Sequence, residues 1–527
     1  MIKNSARRWL AGLGVAGAFV AASATPAFAE EPEITLGWYF SDTTVAAGTP
    51  GKVEAGVISA SASTVLHEFT VRYDYTDLVG TVDVTAFEDT FDECSSPSKG
   101  LLVCTSMWEE IVEEWGLGGL FPVQITPTKT AKDGDSGTLK TTVSAAGIDA
   151  VSTESTVRVG EGVDLAAGPQ SSFSLNPGKS YTAPLKVSNV GDSVAKGAVA
   201  VFFNDYGMNA AKRFSNCTYV GDILRACHFD GDLAGHSSFS TSLPYVLGSD
   251  TFAPGLVYGE ILWLTPAEFE DFAGYVKRQG MNFGEPGTDG ELSLTEAGGD
   301  KVSTQGFQAD TQPDNNWSSV EVKVTGKNST DLEALGDKVG GKAGDTVKAT
   351  VGVRNNGPAT LDRNRAASSV TYLTLGVPKG TTAVEVPQTC MPENGDEWGE
   401  PGEPGAAHYR CFFGSFLKAG DTATLDFTLR IDKVIANATG TVKINVPCAC
   451  DGGFYADLKP ANDTTKLLVN ATADGDGGQG GGDDGDGPTL PITGSSTGLI
   501  AGVGALLLVA GVGGYVLARR RKTRFVA

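Results

Sequence analysis

Residues 178–191, GKSYTAPLKVSNVG, and residues 344–357, GDTVKATVGVRNNG, share one pattern: a glycine, a run in which every second residue is apolar, and a closing Asn-x-Gly. The apolar set is Tyr181, Ala183, Leu185 and Val187 in the first, and Val347, Ala349, Val351 and Val353 in the second. A period of two fits a strand with one buried face, because successive strand side chains point to opposite sides. Asn and Gly supply the turn that ends it. Further matches follow in the same order. Cys227-His228-Phe229 corresponds to Cys411-Phe412-Phe413, and Gly235 and Gly420 each open another strand. Leu425, Phe427, Leu429 and Ile431 alternate in the second of these. Asp310-x-x-Pro313-x-Asn315 corresponds to Asp457-x-x-Pro460-x-Asn462, and last strands follow at Val320-Val322-Val324 and Leu467-Val469-Ala471. Repeated order of this kind marks tandem copies of one unit.

A chain of 527 residues exceeds one ordinary core and accommodates a third, more divergent copy at its N-terminal end. There the leading strands read Ile34-Leu36-Trp38 and Val53-Ala55-Val57, with late strands at Val123-Ile125 and Thr138–Val143. The expected fold is all-β: tandem immunoglobulin-like β-sandwich domains over 30–158, 159–329 and 330–471. The middle domain carries a helical insertion at 265–279, where Thr265, Pro266 and Glu268 form an N-cap, a first helical residue and a capping box. Phe269, Phe272 and Val276 share a face, which implies core packing, with a binding ledge as the alternative. A short helix is also expected at 107–115, with Trp108, Ile111, Val112 and Trp115 as its buried stripe; an aromatic surface for carbohydrate is the competing reading. Residues 391–408 form an acidic Gly/Pro loop and a candidate binding loop.

Eight cysteines fall as Cys94 and Cys104, Cys217 and Cys227, Cys390 and Cys411, Cys448 and Cys450. Local pairing is expected for the first three sets. Cys448 and Cys450 are too close for an unstrained bridge and pair elsewhere or stay reduced. No pair of CxxC units exists and the four histidines are scattered, so no metal and no cofactor is expected.

The two ends differ in character from the middle. Residues 1–29 have Lys3, Arg7 and Arg8, an apolar centre, and Ala27-Phe28-Ala29 before Glu30, the pattern of a secretory signal peptide cut after Ala29. Residues 472–489 are a Gly/Asp-rich linker with an r.m.s. reach of roughly 25 Å. Leu490-Pro491-Ile492-Thr493-Gly494 then precedes an uncharged apolar span, 499–518, long enough for a transmembrane helix. The basic cluster Arg519–Arg524 favours a cytoplasmic tail. The net charge is −23, and the two ends hold eight Lys/Arg and no Asp/Glu, so the part between them is near −31. Such a charge opposes nucleic acid and anionic membrane surfaces as partners.

Residues 490–527 resemble the LPxTG cell-wall sorting signal of Gram-positive surface proteins. That resemblance implies a sortase as partner, which cuts between Thr493 and Gly494 and joins Thr493 to peptidoglycan. The chain would then be secreted and wall-linked, with membrane only as a precursor. The internal repeats, with Asn356-Gly357-Pro358, Val377-Pro378-Lys379-Gly380 and Pro-x-Asn before the last strand, resemble the DUF11 and CARDB modules of bacterial surface proteins. Those imply spacing or adhesion. Between the two ends, over residues 30–489, there is no Gly-x-Ser-x-Gly elbow, no His-Glu-x-x-His and no phosphate loop. The expected function is therefore non-enzymatic and structural or adhesive, with an extracellular protein or carbohydrate ligand. A hydrolase with an N-terminal catalytic domain and a passive spacer are the alternatives.

Overall fold

The alternation in the sequence becomes stacked antiparallel sheets around three separate cores, seen in a computed structural model. It describes residues 34–62, 64–87, 93–112, 117–278, 282–296, 307–366, 368–395, 397–445 and 457–471. In the first stack, one sheet runs Leu36–Tyr39, Lys52–Ala60, Leu117–Pro127, Val82–Ala86. The facing sheet runs Thr43–Ala46, Ile148–Val163, Ser136–Ala145, Thr70–Asp74, Leu101–Thr105, Glu93–Ser98. The third stack repeats this order strand for strand. Its sheets are Leu332–Leu335, Thr346–Asn355, Thr422–Ile431, Thr381–Glu385 and, facing them, Lys338–Val339, Thr464–Val469, Ala438–Lys443, Tyr372–Gly376, His408–Phe412, Cys390–Asn394. In both, a short early strand pairs in parallel with the last long one. In the middle stack Met208–Ala210 pairs with Ile223–Phe229 and with Ser237–Leu247, joining the two layers into one continuous sheet.

The repeated motifs act alike in both copies. Asn189 is fully buried; its Oδ1 accepts the Gly191 N–H, and its amide donates to Ser193 O and Leu233 O. Asn355 likewise takes the Gly357 N–H and donates to Ala359 O. A buried amide with these partners is satisfied only if the chain turns sharply at the glycine. The Asp-x-x-Pro-x-Asn motif fastens the first strand of each unit beside its last. Asp310 accepts Leu165 N–H at 2.6 Å and Gln312 N–H at 2.7 Å, while Asn315 donates to Asp164. Asp457 accepts Leu332 N–H at 2.6 Å and Lys459 N–H at 2.7 Å, while Asn462 donates to Asp331.

Disulfides join Cys94 to Cys104, Cys217 to Cys227 and Cys390 to Cys411, each linking residues directly opposite on neighbouring strands. Cys448 and Cys450 lie outside the described residues, as do Ala27, Ala29, Glu30 and Leu490, Pro491, Ile492, Thr493 and Gly494.

Several expectations are corrected. The described part of the helix expected at 107–115, residues 107–112, is not helical: Glu110–Val112 is a strand paired with Thr64–Leu66. The charged pair Glu109-Glu110 and the β-branched Ile111-Val112 suit a short hairpin edge as well as a helix, and pairing with 64–66 decides it. Val53-Ala55-Val57 is not the inward set of its strand. Ile58 enters the core, Val57 packs outside it, and Val53 is exposed. A one-residue change of face follows from the period of two. Gly56 provides the space for Trp38, whose ring a Cβ there would meet at 1.8 Å. Ile148–Val163 crosses residue 158 unbroken and pairs beyond it with Gln308–Asp310. Among the described residues no helix is long and apolar enough to cross a membrane. The membrane-held precursor and the wall-linked localisation built on it are therefore not retained; the span expected at 499–518 lies outside the described residues.

Candidate binding surface

A two-stranded antiparallel ribbon, hairpin-shaped although its strands Thr64–Leu66 and Glu110–Val112 lie more than forty residues apart in the chain, stands where the helix was expected and caps one end of the first stack. Its alternation sorts the side chains. Leu66 and Val112 are fully buried in the core with Phe69, while Val65 and Ile111, directly opposite each other, face out. Met107 and Trp108 sit in the turn that leads into it. Exposure is 67% for Trp108, 61% for Ile111, 53% for Met107 and 41% for Val65. Scattered apolar residues are ordinary on a surface, but four large ones within one small hairpin form a patch with meaning.

The patch is held firmly from beneath. Ser106 donates from its backbone to Phe69 O at 2.9 Å, and its hydroxyl donates to Glu110 at 2.7 Å and accepts the Trp108 N–H at 3.2 Å. His67 lies 3.0 Å from the Glu109 carboxylate. The Ala146 N–H of the neighbouring hairpin donates to His67 O. Trp108 is thus exposed and in a turn rather than on a helix; Trp115 lies outside the described residues.

Of the other expected sites, the 391–408 loop is pinned at several points. Gly402 N–H donates to Cys390 O, Gly405 N–H to Ala383 O, and the Arg410 guanidinium lies 4.8 Å from the centre of the Trp398 ring while pairing with Glu393. The expected insertion helix is present as Pro266–Arg278 with its capping box: Glu268 accepts from the Thr265 N–H at 2.9 Å and Thr265 Oγ1 accepts from the Glu268 N–H. It is not a ledge. Phe269 and Phe272 pack on Val199, Val201 and Phe203 of the middle stack, and Tyr275 and Val276 pack on Val57 of the first. The helix is a wedge between the two stacks.

Sequence reasoning missed the ionisable cluster under that wedge. Buried Glu268 accepts from Lys52 and from the Asp310 N–H, and Asp271 accepts from Thr44 and pairs with Arg158, which also reaches Asp42. Glu54 stands beside them on the Lys52 strand. Burial pushes the Glu54 carboxyl up to about 7, opposed by Lys52 and reinforced by Asp271 and Glu268. Burial also raises Asp310 to about 7 against its backbone donors, with Glu268 adding to the rise. Asp271 is raised too, chiefly by burial. These residues are far apart in sequence, so no motif announces them. A cavity of about 80 Å³ beside Trp263 and Lys186 holds water-sized groups only, well below the roughly 300 Å³ at which ligand pockets begin. Among the described residues no group of three His, Cys, Asp or Glu is placed to hold a metal.

No family model and no curated protein matches the chain. Solved structures similar to it include Dpr2 Ig1-Ig2 in complex with DIP-Theta Ig1-Ig3, 7% identical over 84% of this chain and 100% of that one, with a TM-score of 0.19. An I9-I11 tandem from titin is 9% identical over 83% of this chain and 98% of that one, TM-score 0.15. CaCohA2 from Clostridium acetobutylicum is 14% identical over 24% of this chain and 91% of that one, TM-score 0.16. Likeness at this level bears on neither ancestry nor function.

Proposed function

We propose that this chain is a non-enzymatic binding protein of adhesive type, built from tandem immunoglobulin-like sandwiches, whose ligand meets the exposed hairpin of the first sandwich. The observation that carries this reading is the Val65, Met107, Trp108, Ile111 patch on a rigid support. Loops and turns at one end of a β-sandwich are where such folds place recognition, because the sheets fix them while leaving them free to vary. The wedge helix and the contacts of Arg365 with Asp205, Glu260 and the Tyr258 ring brace the three units against one another. Bracing of that kind suits an arm that presents one end.

The test is binding of the full chain to a panel of immobilised glycans and purified extracellular proteins, with and without Trp108→Ala. At least one ligand is expected to bind the wild type and to lose tenfold or more in affinity with the variant, as removal of a central aromatic anchor does. If every ligand that binds the wild type binds the variant equally, the hairpin is not the site.

The reading of Leu490–Gly494 rests on sequence pattern alone and concerns the peptide rather than where the chain resides. It is proposed as a sortase substrate in which the Thr493–Gly494 amide is cleaved and the Thr493 carbonyl passes to an amine. Incubation with a sortase and an amine is expected to release residues 494–527 and leave the amine on Thr493, read by mass spectrometry; an intact chain would refute it.

A further inference from the structure

We infer that the ligand of the exposed hairpin is a cationic protein segment, in which apolar side chains sit on Trp108 and Ile111 and flanking Lys or Arg meet a carboxylate rim. This rests on the proposed function above and names the chemistry of its partner. Two observations carry it.

The first is the make-up of the patch. Of its four large apolar side chains among the described residues three are aliphatic: Val65, Met107 and Ile111. A sugar face stacks on flat aromatic rings and needs polar groups aimed at its hydroxyls. Branched aliphatic side chains and a thioether offer neither, but they do pack against other side chains, and Met adapts its shape to them.

The second is the charge around it. Glu68 and Glu109 are exposed within the hairpin region, and Glu110 is half-buried beside them. Glu93 opposes Thr105 on the adjoining strand, and Asp149 lies in the hairpin whose Ala146 N–H binds His67 O. The segments 64–69, 93–98, 105–112 and 144–150 contain no Lys or Arg. His67 is the one basic group among them, and Glu109 already faces it. A rim of one sign around an apolar centre steers an oppositely charged partner and rejects acidic ones. The apolar centre then sets the dwell time.

The test uses a fluorescein-labelled twelve-residue peptide of alternating Lys and Leu/Phe, an acidic counterpart with Glu for Lys, and two neutral hexasaccharides, chitohexaose and cellohexaose. Anisotropy with the full chain reads binding to the peptides, and tryptophan fluorescence reads binding to the sugars. The basic peptide is expected to bind, to weaken at least tenfold with Trp108→Ala or Ile111→Ser, and to weaken several-fold with Glu68→Gln/Glu109→Gln. The first two variants leave the net charge unchanged, so they separate the patch from the general acidity of the chain. Circular dichroism of each variant confirms that the β-fold is kept. Sugar binding that depends on Trp108 overturns the cationic partner while leaving the hairpin as the site. Self-association that depends on Trp108, read by sedimentation, overturns it in favour of a second copy. Peptide binding unchanged by Trp108→Ala, with no sugar binding, refutes both the partner and the site.

Discussion

Replacing Glu268 by alanine is expected to loosen the junction between the first two stacks by about 3 kcal/mol. One carboxylate there does several things at once. It accepts the Thr265 N–H and hydroxyl at the helix start, the Asp310 N–H of the strand beside it, and the Lys52 ammonium of the first stack. All four donors are buried or half-buried; without the carboxylate the Thr265 hydroxyl still has Gln308 O at 2.8 Å, but the Thr265 N–H, the Asp310 N–H and the Lys52 ammonium must find another acceptor or go without. Truncating one member of a buried charged pair typically costs about 3–5 kcal/mol, and the nearness of Glu54 to Lys52 places this case at the low end. Hydrogen exchange at Pro266–Arg278 and Lys52–Ala60 should then quicken roughly a hundredfold, while Thr422–Ile431 in the third stack is unaffected. Glu268→Gln keeps an acceptor for the cap and should lose less. Equal exchange in Glu268→Ala and the wild type would show that the wedge does not depend on this residue.

The same junction should be tighter in mild acid than at neutral pH. Five carboxylates, Asp42, Glu54, Glu268, Asp271 and Asp310, meet two cations, Lys52 and Arg158. The excess negative charge is buried, so protonation relieves it. Glu54 rises from 4.5 to about 7 and Asp310 from 3.8 to about 7. A raised carboxyl contributes its full share of stability below its unfolded value and loses it as pH climbs through the folded one, so the window runs from about 4 to about 7. At about 1.4 kcal/mol per unit, each group accounts for on the order of 3–4 kcal/mol. Local opening of the helix should therefore be more costly at pH 5 than at pH 7.5. His228 works the other way, since burial lowers its pKa and acid tends to charge it. The decisive comparison is with Glu54→Gln, in which the pH dependence of helix exchange over this window should fall by about half. A profile identical to the wild type would remove Glu54 from the linkage.

Legibility in the sequence followed the range of the interactions. The strands of the two better repeats and the turn asparagines are set by neighbours within a few residues, and the alternation of Tyr181 to Val187 or Leu425 to Ile431 exposes them directly; the three cysteine pairs reach only 10, 10 and 21 residues along the chain. The capping box at Thr265 and Glu268 belongs to the same class. The segment 107–115 did not, because Trp108, Ile111 and Val112 fit a helical stripe and a hairpin equally well on paper. The pairing partner that decides, Val65, is more than forty residues away. Val57 and Ile58 show the same difficulty: both are apolar and adjacent, and only the arrival of the helix on one side tells which faces the core.

The sequence alone determined that this is a repeated β-protein with an acidic middle, bridged hairpins and a helix begun by a defined cap. Those properties follow from period, composition and local hydrogen bonding, which a chain carries with it before it folds. Tertiary structure alone decided that the helix is a wedge, that carboxylates from three distant segments crowd beneath it, and that four apolar side chains stay outside at the tip of the first stack. Burial and charge crowding depend on which surfaces meet, and that is settled by packing between segments that the sequence keeps far apart.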